Sequence, residues 1–244
     1  MEHLSVLKYF LLAFLFCHHV VAFSPPSLGL GALIFRPAGM KTRPALMDDA
    51  TLRQAADFFT DAFWANKVGG GIKELQSKQR KSLLGSQTTE FRKRYGGKYG
   101  GDRISELLVC RNDKDEVMGC CGIEVDNIFG NGLKSNILKQ APLMSNLAVG
   151  REFRRRGIAE ELVNEAEELA RKKWGYDEVY LYVEKRNKAA VRLYQKLGYR
   201  KVWEDESAST LLPLKTGSMR QVSTTLLCMK KRLGLGIFGR LLPF

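Results

Sequence analysis

The sequence predicts a single α/β domain: a mixed, mostly antiparallel sheet of about seven strands flanked by helices. Residues 146–199 read as strand, basic glycine loop, amphipathic helix, strand and second helix, and apolar runs of strand length recur on both sides of that block. Size sets the domain count. Without a presequence of 38 residues the chain keeps about 200 of its 244, enough for one core and too few for two.

Taken in order, a first strand falls at residues 41–45 (KTRPA). Asp48 or Asp49 then caps a helix in which Leu52, Ala55, Ala56, Phe59, Ala62 and Phe63 recur at helical spacing. Three glycines at 69–71 break the chain, and IKELQSKQRKSLLGSQTTEFRKRYGG after them is basic and mostly helical. Strands SELLVCRND and EVMGCCGIEVDN follow, joined by a turn at 112–114. Residues 127–140 read as an insertion-like loop before the fourth strand. Beyond the central block, YRKVWEDES and SMRQVSTTLLCMKKRL read as the last two strands, with SASTLLPLKTG as a loop between them.

The central block carries the chemistry. NLAV, opening at Asn146, suits a buried strand, and RRRGIA turns into a helix. Along that helix Ile158, Leu162, Val163, Ala166, Leu169 and Ala170 form a core stripe. Glu160, Glu161, Glu165, Glu167, Glu168, Arg171 and Lys172 fill the side expected to face water. The first turn of any helix leaves backbone N–H groups without partners at the positive end of the macrodipole, which makes it an anion site. Arg154, Arg155 and Arg156 add charge just before those amides, and Gly157, without a Cβ, lets a phosphate approach. A pyrophosphate fits such a site. The spacing is neither that of a P-loop nor the three-glycine dinucleotide fingerprint. Later, Asn187 is placed to cap the helix KAAVRLYQKLG, Tyr194 lies on its apolar stripe, and Gly198 ends it.

An NLAV strand, an RxxGxA loop from Arg154 to Ala159, then Asn187 with Tyr194 seven residues on, together resemble the GNAT superfamily of N-acetyltransferases. The resemblance covers residues 41–233 and is strongest over 146–199. It implies a sheet splayed between strands four and five, with acetyl-CoA as co-substrate and no metal. Leu147, Ala148 and Val149 would then pair with the pantetheine arm. Arg155, Arg156, Gly157, Ile158, Ala159 and Glu160 would hold the pyrophosphate, and Asn187, Lys188 and Ala189 would meet the far side of the arm. Tyr194 would protonate the leaving thiolate, as a phenol with a pKa near ~10 can. The family's early helical region and a late loop, here SASTLLPLKTG, would wall the acceptor groove. One departure stands out. Many relatives carry a glutamate five residues before the asparagine, where this chain has Tyr182, so the general base stays open between Glu184, Glu124 and a water chain.

The FRRRGIA loop and the basic final strand LLCMKKRL are similar to those of plastid enzymes of the family that modify protein N-terminal α-amines and lysine side chains. The acceptors implied are protein or peptide amines. Alternatives are a small-amine enzyme acting on polyamines or arylalkylamines, and a non-catalytic acyl-CoA-binding module.

The N-terminal address agrees with that resemblance. Residues 1–22 read as a cleaved signal peptide, with Lys8 ahead of an apolar run and small Val20 and Ala22 near its end. Residues 23–38 are hydroxylated and basic, and no Asp or Glu occurs from His3 to Met47, as in a transit peptide. Such a bipartite leader predicts the plastid stroma, with the secretory pathway as the alternative and no integral membrane segment after processing. The mature domain is expected at 39–233, and 234–244 form an apolar tail read, in order of preference, as packed on the body, disordered or touching a membrane surface. Cys110, Cys120, Cys121 and Cys228 show neither a disulfide framework nor metal-ligand spacing, which suits a reducing stroma. The formal charge of +13 is spread along helices and leader without interleaved aromatics, so no dedicated nucleic-acid-binding domain is expected.

Overall fold

The computed structural model describes residues 41–44, 48–65, 67–96, 104–129 and 138–234. The expected signal peptide, the transit-like segment and the tail beyond Gly234 lie outside the described residues. The strands are β1 (Lys41–Pro44), β2 (Ser105–Arg111), β3 (Val117–Phe129), β4 (Leu138–Val149), β5 (Glu178–Glu184), β6 (Arg200–Asp205), β7 (Ser209–Pro213), β8 (Met219–Ser223) and β9 (Leu226–Arg232). Among the described residues seven of them form one sheet in the order β1-β2-β3-β4-β5-β9-β6, and β7 and β8 form a separate hairpin. Every pairing in the large sheet is antiparallel except β4 with β5. The α/β sheet expected from the sequence is therefore the one observed.

Helix α1 (Asp49–Phe59) continues through a π-helical turn at Thr60–Trp64. Asp48 is its cap: the carboxylate accepts from the Thr51 backbone N–H at 2.8 Å, and that bond holds its pKa below the usual value. Helix α2 (Ser77–Tyr95) ends on Arg92, Lys93 and Arg94, cations at the end where the dipole favours them. These two helices cover one face of the sheet, with Phe59, Phe63, Phe91 and Tyr95 against Leu107, Val109, Cys120 and Ala148. Helix α3 (Ile158–Glu168, with a π-helical turn at Leu169–Lys173) and α4 (Lys188–Lys196) cover the other. Their Ile158, Leu162, Val163, Ala166 and Leu193 meet Cys121, Leu181, Val183 and Met229. Adjacent Cys120 and Cys121 thus point to opposite faces, as a strand requires, and both are buried thiols.

Three expectations need correction. SASTLLPLKTG is not a loop, since Ser209–Pro213 pairs with Met219–Ser223. SMRQVSTTLLCMKKRL is correspondingly two strands in two sheets. The change happens at two threonines: Thr224 N–H donates to Ala208 O and Lys185 N–H to Thr225 O, each at 2.8 Å. An unbroken run of strand-forming residues carries no mark of such a switch. Within residues 127–140, Asn127–Phe129 and Leu138–Gln140 are strand, because β3 and β4 stay paired as far as Phe129 and Leu138, and 130–137 between them lie outside the described residues. Lastly, Glu161 and Glu167 of α3 are buried. Glu167 takes an ion pair from Lys231 of β9 at 2.5 Å, while burial pushes its carboxyl pKa up.

Candidate active site

β4 and β5 pair only at Leu143 with Tyr180 and Met144 with Leu181. Beyond that point β4 keeps its ladder with β3 but leaves β5, so residues 145–149 and 182–184 face one another across an opening at the carboxyl ends of two parallel strands. A bulge redirects β4. The register with β3 slips between Cys120 and Gly122, and Asn146, at φ 52°, takes the left-handed conformation. On the side facing β5, the backbone of Leu147, Ala148 and Val149 is left without a strand partner.

The basic loop lies at the end of this strand. Arg155 (φ 65°) and Gly157 (φ 79°) are both left-handed, and α3 starts directly after Gly157 with no side-chain cap. A Cβ on Gly157 would meet nothing within 4 Å, so glycine is required there by backbone conformation rather than by space. The amides of Ile158, Ala159 and Glu160 therefore begin the helix beside two exposed arginines, Arg155 and Arg156. Arg154 does a different job from its neighbours. Its Nε donates to Val149 O at 3.2 Å and its Nη2 to Ala62 O at 3.5 Å, fastening the loop to β4 and to the end of α1. Glu160 pairs with Lys196 at 3.2 Å, linking the site's two helices.

On the far side of the opening Asn187 caps α4, its Oδ1 accepting from Ala190 N–H at 3.2 Å. Its own N–H donates to Glu184 O at 2.9 Å, which turns the chain sharply from β5 into the helix. Lys188 is exposed and Ala189 half-buried at the first turn. Tyr194 is fully buried, its ring edge-on to Tyr199 at 5.7 Å between centroids. Strand, loop and cap thus lie at the ends of β4 and β5 where the two strands no longer pair, while Tyr194 is packed in the core under α4.

Tyr182, at the position where relatives carry glutamate, packs on Trp203 at 5.6 Å, and burial drives its phenol far above the usual pKa. It is no base. Both carboxylates weighed for that task are engaged. Glu184 accepts from Arg186 Nε at 2.5 Å and from Thr224 Oγ1 at 3.2 Å, and Glu124 is paired with Arg94 inside the protein.

Two polar clusters here went unnoticed in the sequence. Lys67, 2% exposed, lies over the rings of Phe63 and Trp64 and donates to Thr210 Oγ1 at 2.9 Å, close to Glu184 and Arg186. Burial lowers its pKa to about 8. Behind the β4 bulge, Asn146 Nδ2 donates to the Tyr95 hydroxyl at 2.9 Å, and that hydroxyl is 3.3 Å from Ser145 Oγ. A glycine permits this, since a Cβ on Gly122 would lie 1.9 Å from the Tyr95 oxygen. The early helical region, at the first turn of α2, and the β7–β8 hairpin, expected as the two walls of an acceptor groove, meet directly: Gln79 Nε2 donates to Ser218 O at 2.9 Å.

A sequence model described as the acetyltransferase (GNAT) family matches residues 73–199, just over half of the chain. The chain belongs to the GNAT acetyltransferase family. Over 66 residues it is 41% identical to the chloroplastic GCN5-related N-acetyltransferase 4 of Arabidopsis thaliana. That stretch is 27% of this chain and 22% of the relative, so the match spans about a fifth of the curated protein. Among solved structures, the spermidine N-acetyltransferase of Vibrio cholerae in complex with CoA and spermine aligns with a TM-score of 0.52 at 14% identity. The alignment covers 81% of this GNAT chain and 97% of the bacterial one. A GNAT-family acetyltransferase from Streptococcus pneumoniae gives 0.51 at 18%, covering 79% and 99%. At these identities the likeness shows the fold. Acetyl-CoA, the family's co-substrate, fits the residues present: an open strand edge for an amide-bearing arm, and an uncapped helix start with two arginines for a pyrophosphate.

Proposed function

We propose that the protein transfers an acetyl group from acetyl-CoA to amines of proteins, at N-terminal α-amines and at lysine side chains. The observation that carries this is the opening between β4 and β5, which leads straight to the uncapped start of α3 flanked by Arg155 and Arg156. Leu147, Ala148 and Val149 hold the pantetheine arm by their backbone. The amides of Gly157, Ile158, Ala159 and Glu160 take the pyrophosphate, and Asn187, Lys188 and Ala189 border the arm opposite.

The neutral amine attacks the thioester carbonyl, held within reach by these contacts. A C–N bond forms, the C–S bond breaks, the sulfur receives the Tyr194 hydroxyl proton, and the proton lost by the amine passes into water, from which the tyrosine hydroxyl is restored. No covalent bond to the protein is made. The tyrosine's burial in the α4 core serves this role as well as a packing one, because packing fixes the ring while only the hydroxyl takes part.

A second reading is a polyamine enzyme, favoured by the fold of the spermidine N-acetyltransferases. Charge favours protein acceptors. Glu124 and Glu184 are each satisfied by an arginine, and Lys67 lies beside the latter pair, so these carboxylates offer little to a polycation. The loop and final-strand resemblance to plastid protein acetyltransferases, the bipartite leader and the chloroplastic relative support work in the plastid stroma.

The test is mass spectrometry of a peptide library incubated with acetyl-CoA and protein starting near residue 39, beside spermidine. Acetyl groups on α-amines and lysines are expected. Acetylation of spermidine alone would select the polyamine reading, and cofactor binding without any product would select a non-catalytic module.

A further inference from the structure

Asn146 holds an unusual position. It is 1% exposed, left-handed, and placed on the bulge where β4 abandons β5. Its carboxamide is committed at the NH2 end, through the Tyr95 hydroxyl. Arg94 has only donors, so Ser145 Oγ accepts from its Nη2 at 3.1 Å. The Tyr95 phenol, its pKa raised to about 12 by burial, keeps its proton and shares a hydrogen bond with Ser145 Oγ at 3.3 Å in which either hydroxyl can donate. The phenol oxygen accepts from Asn146 Nδ2. Asn146 Oδ1 is left buried and without a hydrogen-bond partner. An orphaned buried acceptor costs about 1–3 kcal/mol, a burden a folded protein sheds by binding a donor.

We infer that Asn146 Oδ1 receives an N–H of the attacking amine, and that Tyr95 sets the carboxamide so that this oxygen, not the NH2, faces the cleft. The inference rests on the transfer reaction proposed above. A neutral amine attacks through its lone pair and has N–H bonds to spare; an acceptor at its back turns the lone pair toward the thioester carbon. As the C–N bond forms and the C–S bond breaks, the nitrogen becomes positive and this hydrogen bond strengthens. Asn146 neither gains nor loses a proton. It is a catalytic residue, whereas Tyr95 is a positioning residue that acts through it.

Asn146→Gly removes the carboxamide and tolerates φ 52°; Tyr95→Phe removes only the hydroxyl. Both are compared with the parent for acetyl-CoA affinity by calorimetry, for peptide acetylation and for thermal melting. Loss of one such hydrogen bond predicts a kcat/KM for the peptide about tenfold lower in Asn146→Gly and several-fold lower in Tyr95→Phe, with acetyl-CoA affinity within about twofold of the parent. The double variant matches Asn146→Gly alone, because Tyr95 has nothing left to position. Parent-like turnover in Asn146→Gly overturns the assignment, and so does a matching loss of acetyl-CoA affinity, which would place the oxygen on the pantetheine arm. Additive losses in the double variant overturn the role of Tyr95. A parent protein that binds acetyl-CoA yet acetylates no amine overturns the transfer reaction itself, and this inference with it.

Discussion

Arg94 and Glu124 form an ion pair inside the protein, their side chains only 7% and 6% exposed, at the foot of the network that reaches Asn146. Breaking a buried pair from one side strands the other charge. Glu124→Ala is expected to lower unfolding free energy by about 3–5 kcal/mol, read from urea denaturation. A loss below about 1 kcal/mol would mean that Arg94 finds water or another partner.

Three consecutive arginines separate into two roles. Arg155→Ala with Arg156→Ala is expected to weaken acetyl-CoA binding about tenfold, with a shallower salt dependence and little change in melting temperature. Arg154→Ala is expected to do the opposite, lowering the melting temperature by a few degrees through the lost bonds to Val149 O and Ala62 O. Calorimetric titration and thermal melting of both variants check the split.

Lys67 gives the protein a pH signature. Its folded pKa of about 8 lies below the ordinary 10.5, because burial disfavours the ammonium. Between those values the unfolded chain holds a proton that the folded one has released, so stability rises with pH across that window, and the penalty stands in full below about 8. Lys67→Met removes the group while keeping an unbranched apolar stem. At pH 7 it is expected to gain up to about 3 kcal/mol, less the bond to Thr210, and that gain is expected to vanish as pH approaches 10.5. Denaturation of parent and variant across this range is the measurement.

Tyr194→Phe keeps the ring packed on Tyr199 and removes the hydroxyl. Turnover is expected to fall by about 10²-fold or more, with acetyl-CoA affinity and melting temperature nearly unchanged. Equal turnover would remove the tyrosine as proton donor to sulfur.

What the sequence disclosed depended on how far apart the partners lie along the chain. The RxxGxA loop and the Asn187 cap are complete within a few residues, and each appears where the pattern put it. The strand count of the main sheet was readable from its apolar runs. The β7–β8 hairpin was not, because Thr224 and Thr225 change sheets without a glycine or proline to announce it. Lys67 and Thr210 are 143 residues apart, Tyr95 and Asn146 51, and no local rule joins them. A single hint was present: Gly122, within an otherwise apolar strand, marks a close approach, and the Tyr95 ring makes it. Arg154 read in the sequence as one more charge before the helix amides, and its bonds to Val149 O and Ala62 O, the latter 92 residues away, could not be seen there.

The two-residue contact between β4 and β5 divides the sheet into two panels, one carrying α1 and α2 and the other β9 and β6. Short bare strand edges inside a sheet invite any extended chain to add to them. A guest seated there supplies the missing rungs and ties the panels into one cooperative body, so it serves as a structural member as well as a reactant. Slowed amide exchange at residues 145–149 and 182–184, together with a higher melting point, is the imprint such a keystone leaves. Under the proposed function that guest is acetyl-CoA, and in its absence this seam is expected to open before the fully paired strands on either side.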